Sequence, residues 1–192
     1  MKTKEKIIEA AGRLFERFGF DKTSMDDIAK ASHKTKGSLY YHFKDKDDVV
    51  QSVVNKEINS LKANLLPILT DINLNEQERV VKYLRIRMEL LNKSGALHHI
   101  LKEEFHEADS QCYSASSFDA FYQWESEQFT ALITIGKNNS CIPDDVNTAA
   151  FVEMLMMLLK SLEIPFFVKE KYDYYAPTFC TLLDKIVISL TL

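Results

Sequence analysis

Apolar residues recur along most of this chain at three- and four-residue intervals, the spacing of helices with one buried face. Ile7, Ile8, Ala11, Leu14, Phe15 and Phe18 fall on one side of a helix predicted over residues 3–18. Gly19 follows directly and can take the left-handed conformation that ends a helix. Ser24 is expected to cap a second helix, with Asp27 at the reciprocal capping-box position and Met25, Ile28 and Ala29 facing inward. After a break at residues 32–34, Thr35 caps a third helix that runs through Phe43. Asp45, paired with Asp48, caps a fourth that reaches about residue 64 and that Pro67 is expected to end. A polar stretch over 70–77 leads to helices predicted at about 78–92, 96–108, 118–137, 146–164 and 174–190, with a polar loop over 109–117. Pro165 is expected to end or kink the fourth of these, and Pro177 to sit in the first turn of the last. Five Gly and four Pro in 192 residues are too few turn residues for a sheet-rich fold, so an all-α chain of about nine helices is expected.

Charge divides the chain. The formal net charge is −4, but residues 1–50 carry +2 and residues 51–192 carry −6. Between residues 29 and 46 there are five lysines (Lys30, Lys34, Lys36, Lys44, Lys46) against Asp45 alone. A small basic module, residues 1–50, therefore precedes a larger acidic body, residues 51–192, and partner arguments rest on the local field of the first.

Other chemistry is sparse. Cys112, Cys141 and Cys180 are scattered and form no CxxC pair, as expected of free thiols in a reducing compartment. The charged N-terminus has no apolar signal region behind it, and the greasiest stretch, 151–168, is broken by Glu153, Lys160 and Glu163. A cytoplasmic location and no membrane partner are expected. GxSxG, HExxH, phosphate-loop and CxxC patterns are all missing, so the chain reads as a non-enzyme without a cofactor. His99, Glu103 and His106 share a helical face, and Glu103-x-x-His106 matches half of a di-iron carboxylate motif. The second half is absent, so no metal is expected.

The third helix is the informative one. At 100° per residue Leu39 and Phe43 lie close together and should anchor it from behind against Leu14, Phe15 and Ile28. The opposite side presents Gly37, Ser38 and Tyr41, flanked by Tyr40 and His42, with Lys36 in the first turn and Lys34 before it. Cations, hydroxyls and an imidazole without a carboxylate suit a phosphate-lined groove. The stretch Ser24-Met25-Asp26-Asp27-Ile28-Ala29, followed by Lys36-Gly37-Ser38-Leu39-Tyr40-Tyr41-His42-Phe43-Lys44-Asp45-Lys46, resembles the helix-turn-helix signature of the TetR/AcrR transcriptional regulators. Ile8-x-x-Ala11-x-x-Leu14-Phe15-x-x-x-Gly19-Phe20 is similar to that family's first helix, so the resemblance covers residues 3–50. One departure is His33-Lys34, where the family usually has Gly-Val or a similar pair. His tolerates positive φ better than most residues but worse than Gly, so some strain is expected in that turn.

The resemblance implies a three-helix DNA-binding domain followed by a larger helical domain for effector binding and dimerisation. Helix three, from Thr35, would lie in the major groove with Lys36, Ser38 and Tyr40 at base edges. Tyr41, His42 and Lys46 would grip phosphates, Ser24 would add a backbone contact, and Gly37 would allow close approach. The last two helices would pair with a second copy as a four-helix bundle. Phe151, Leu155, Leu158, Leu159, Leu162, Val187 and Ile188 are the candidate interface, since apolar residues wrap most of that helix. Tyr83, Met88, Phe105, Phe121, Tyr122, Trp124, Phe129 and Met154 are candidates for an effector pocket, because aromatics and Met adapt to apolar ligands. Together these describe a homodimeric repressor of a near-palindromic operator, released by a small apolar or amphipathic molecule. A non-repressing activator of the same fold and a helical protein-binding adaptor are the alternatives.

Overall fold

Local capping chemistry starts each helix of the N-terminal region. The computed structural model describes residues 2–98, 101 and 115–190, leaving aside the side chains of 115–117 and 186–190. Helix α1 (Thr3–Phe18) buries Ile7, Ala10, Ala11 and Phe15. Phe18, expected inward, is 48% exposed and lies under the Arg17 guanidinium instead, because it falls one turn beyond the contact with the next helices. Gly19 stops α1 at φ 80°, ψ 167°, which is not the left-handed helical cap expected but an extended positive-φ conformation essentially confined to glycine. Helix α2 (Met25–Ala31) opens on the expected box. Ser24 Oγ accepts the Asp27 N–H at 3.2 Å, and the Asp27 carboxylate accepts the Ser24 N–H at 3.0 Å. Helix α3 (Lys36–His42) is capped by Thr35, whose Oγ1 accepts the Ser38 N–H.

Helix α4 (Lys46–Leu69) starts with Asp45 accepting the Asp48 N–H at 2.9 Å, while the Asp48 carboxylate accepts the Lys44 N–H in return. Pro67 does not end it. The Thr70 N–H still bonds the Leu66 carbonyl, so the proline removes one donor from a final turn that continues around it. Helix α5 (Glu76–Lys93) begins two residues before the predicted start because Asn75 and Glu78 form a further capping box, with both bonds at 2.9 Å. Helix α6 (Ala115–Asn138) likewise begins inside the expected loop. Asn147 caps α7 (Thr148–Glu163). Pro165 marks the end of the α-helix, which stops at Glu163 as expected, but the chain does not leave the helical path there. Residues Ile164–Val168 widen into a π-helical turn in which the Lys169 N–H bonds the Ile164 carbonyl. Helix α8 (Tyr172–Leu190) starts two residues early, which leaves Pro177 past its first turn.

The described residues are all helical or loop, with no strand. They form two compact units, residues 1–60 with 93–118 and residues 61–92 with 119–192. In the first unit Phe15, Phe20, Ile28, Leu39, Phe43, Val49 and Val53 make the core, and Phe15 meets Phe20 edge-to-face at 4.8 Å. In the second, Tyr83, Leu91, Phe121, Phe129, Leu159 and Phe167 are buried, and Phe166 gathers Tyr172, Tyr175 and Phe179 around the turn into α8. Among the described residues no helix is long and apolar enough to cross a membrane.

The turn between α2 and α3 holds the strain expected of it. His33 sits at φ 54°, closing the turn through its own N–H to the Lys30 carbonyl and the Lys34 N–H to the Ala29 carbonyl. A left-handed conformation costs a residue with a Cβ about 1–2 kcal/mol, partly offset by the narrower unfolded ensemble. His33→Gly should therefore raise stability by about 0.5 kcal/mol in urea unfolding. An equal loss would show that the imidazole makes a compensating contact.

Candidate nucleic-acid interface

Leu39 and Phe43 are completely or almost completely buried, so α3 is held from behind and its other side is free. That side carries Tyr41 at 84% exposure, Tyr40 at 50%, exposed Lys36 and Gly37, and half-buried Ser38 and His42. The Tyr41 and His42 rings meet edge-to-face at 5.0 Å, which orders both side chains on the last turn. A Cβ built on Gly37 would meet no atom within 4 Å, so nothing inside the protein requires a glycine there.

Several cations and hydroxyls of this surface already have partners. Lys36 Nζ pairs with Asp26 Oδ1 at 2.8 Å, a half-exposed bridge that raises the lysine pKa through hydrogen bonding and charge. The front of α3 itself is free of acid, but its first turn thus has a carboxylate beside it from α2. Lys46 Nζ donates to the Phe20 carbonyl at 2.8 Å, which ties the start of α4 to the loop after α1 and leaves the ammonium further donors. The Ser24 hydroxyl donates to Asp27, whose pKa is held down by that bond, so Ser24 has its proton committed within the cap. Thr35 uses an oxygen lone pair in its own cap and keeps its proton.

The second unit sorts the remaining candidates. Tyr83, Met88, Phe121 and Phe129 are fully buried, and Tyr122 and Trp124 are half-buried. Tyr83 packs edge-to-face on Phe129 at 5.0 Å, and Phe121 stacks near Trp124 at 5.9 Å. Met154 does not join them. It is 64% exposed, on the outer side of α7, because the helix turns Val152, Met156 and Leu159 inward. For the same reason Leu159, at 2% exposure, belongs to its own subunit's core and leaves the candidate interface. Phe151 and Leu158 are exposed, and Leu155 and Leu162 half-buried. Phe105, Cys112, and the His99, Glu103 and His106 trio lie outside the described residues, as do the side chains of Val187 and Ile188. Among the described residues no three His, Cys, Asp or Glu side chains converge as a metal site.

Sequence reasoning missed a buried ionic cluster. Arg87 Nε donates to Glu125 Oε1 at 2.6 Å, and Arg87 Nη2 donates to Glu125 Oε2 at 3.0 Å and to Glu163 Oε1 at 2.6 Å. The Tyr83 hydroxyl donates to Glu125, and the Tyr122 hydroxyl to Glu163. Burial alone would lower the arginine pKa, but the two carboxylates hold it well above its ordinary value. Burial pushes the Glu163 pKa up despite Arg87 and Tyr122. A signal for the cluster is present in the sequence. Tyr83-Arg87-Leu91, Phe121-Glu125-Phe129 and Leu159-Glu163-Phe167 are each apolar i, i+4 rows with one charge in the middle rung.

Residues 7–53 match the tetR family of bacterial regulatory proteins. The chain is 43% identical over 51 residues to the HTH-type transcriptional regulator AcrR of Shigella flexneri, covering 27% of this chain and 24% of AcrR. It is 30% identical over 120 residues to IcaR, the HTH-type negative transcriptional regulator of the biofilm operon icaADBC in Staphylococcus epidermidis, covering 56% of this chain and 63% of IcaR. The match thus spans less than two thirds of either relative. A crystal structure of a transcriptional regulator from Cytophaga hutchinsonii is similar over 97% of this chain and 95% of that one, at 26% identity and a TM-score of 0.75. With helix α3 presented as described, residues 7–53 form a helix-turn-helix module of the tetR family of bacterial regulatory proteins, and the chain as a whole is similar in fold to a transcriptional regulator.

Proposed function

We propose that the protein is a cytoplasmic homodimeric repressor that binds a near-palindromic operator and is released by a small apolar or amphipathic effector. Residues 1–50 would carry the DNA contacts, and residues 51–192 the dimer contact and the effector. The observation that carries this reading is α3 itself: anchored by buried Leu39 and Phe43, with Tyr41 standing out and a glycine whose missing side chain only an outside body would notice. Lys36, Ser38 and Tyr40 would meet base edges; Tyr41, His42, Thr35 and Lys46 would hold phosphates. Ser24 would act mainly through the cap that positions α2. Binding requires Lys36 to leave Asp26 or to bridge between that carboxylate and a base.

Two such helices roughly 34–36 Å apart meet successive major grooves on one face of DNA. Selection from a random duplex pool should therefore return two inverted half-sites at that spacing. Recovery of a single half-site would overturn the dimeric reading, and no enrichment at all would overturn DNA regulation. Against the selected site, Lys46→Ala should weaken all sequences alike and flatten the log-affinity against log-salt slope by about one. Ser38→Ala should instead change the preferred base, by about 1–3 kcal/mol.

A further inference from the structure

The second unit contains a cavity of about 300 Å³ that shares only Phe129 with the pocket expected from the sequence. Val80 and Val81 of α5, Phe129 and Ile133 of α6, Ile142 of the following loop and Leu155 of α7 form its apolar wall. The expected pocket residues Tyr83, Met88 and Phe121, by contrast, are closed core near the Arg87 cluster. At the edge of the cavity stands Glu76, only 8% exposed. Asn139 Nδ2 donates to its Oε1 at 2.8 Å. Hydrogen bonds from its own backbone and from Asn139 hold the carboxyl pKa below its ordinary value, so it is ionised near neutral pH. Arg79, one turn along, lowers that pKa further through its charge, but its Nε donates to the Asp71 carbonyl, and among the described residues no ion pair within 4.0 Å engages Glu76.

An ionised carboxylate at the edge of an apolar hollow selects a ligand by both ends. The wall favours a hydrocarbon or single-ring body. The carboxylate favours a cationic head and opposes an anionic one, more strongly than a fully solvated carboxylate would because Glu76 is only 8% exposed. The volume stands at the lower limit for small-molecule sites, so the body is short. We propose that this cavity binds a small cationic amphiphile, an ammonium head at Glu76 and an apolar body against Val81, Ile133 and Leu155. Its role as effector site rests on the regulator reading above, whereas binding itself does not.

Three probes with one tail test it on the DNA-free protein by calorimetric titration: n-octylammonium, 1-octanol and octanoate. The ammonium is expected to bind about tenfold or more tighter than octanoate, with the alcohol between them. Glu76→Gln should remove the advantage of the ammonium over the alcohol, and Val81→Trp, at a half-buried position, should abolish binding of all three with the helical circular dichroism unchanged. Equal or tighter binding of octanoate, no binding of any probe to the native chain, or undiminished binding to the Val81→Trp chain would each overturn the proposal. A protein that binds the ammonium as expected but enriches no operator would sink the regulator reading and leave this site standing.

Discussion

An Arg87→Met chain is expected to lose about 3–5 kcal/mol of stability at neutral pH, a large share of the roughly 5–15 kcal/mol that holds a typical domain together. The arginine is fully buried and neutralises Glu125 and Glu163, which are buried to the same degree. Methionine fills the space but leaves two carboxylates facing each other without a cation, and their desolvation is then uncompensated. That penalty depends on pH with a definite sign. A carboxyl whose folded pKa is raised takes up its proton more readily in the folded state, so its destabilising effect fades as pH falls through that raised value. Glu163 is already displaced upward in the native protein although Arg87 pulls it down, so removal of Arg87 should displace it further. The variant should therefore recover stability as pH is lowered from about 7.5 toward the ordinary carboxylate range. Urea unfolding across that range checks it. A loss independent of pH would show that packing, not charge, is what Arg87 contributes.

The second large effect concerns the outer face of α7. Met154 is 64% exposed and Leu158 61%, and Phe151, Met157 and, on α8, Leu182 are exposed as well. Exposed apolar residues clustered at helical spacing mark a contact surface more often than an ordinary solvated one. Met154→Lys with Leu158→Glu places an ion pair at i, i+4 on this face, so the helix itself should not suffer. On the proposed homodimer, the double variant is expected to sediment as a monomer and to lose operator affinity by about 10²–10⁴-fold, since each half-site must then be bound alone. A chain that stays dimeric would move the interface elsewhere and leave this apolar face to another partner.

The N-terminal module was legible because its determinants are local. A serine or threonine cap, an acid three residues on, an apolar pair one turn apart and a glycine at a sharp stop each act within four or five residues. Hence Thr35, Ser24 and the Leu39–Phe43 anchor emerge from the sequence with their roles attached, and His33 with its strain. Boundaries moved where a further local cap or a continuing turn went unread, as at Asn75 and Thr70. Pro67 is absorbed because the turn continues around it, whereas Pro165 does stand where α7 ends, at Glu163, with a π-helical turn following in place of a clean stop. The part of the chain beyond residue 60 was legible only as amphipathic helices. Leu159 and Met154 look alike in one dimension, and only the orientation of α7 assigns one to the core and the other to the surface.

What the sequence by itself determined is the order of helices, the acid-free front of α3 and the basic character of the module that carries it, all set by short-range propensity and charge. The tertiary structure decided which partners meet across tens of residues. It paired Lys36 with Asp26, drew Arg87 onto Glu125 and Glu163, and set Glu76 at the edge of an apolar cavity that takes only Phe129 from the predicted pocket. Burial is a property of packed elements, and a charge in an apolar row discloses its partner only once those rows are brought face to face.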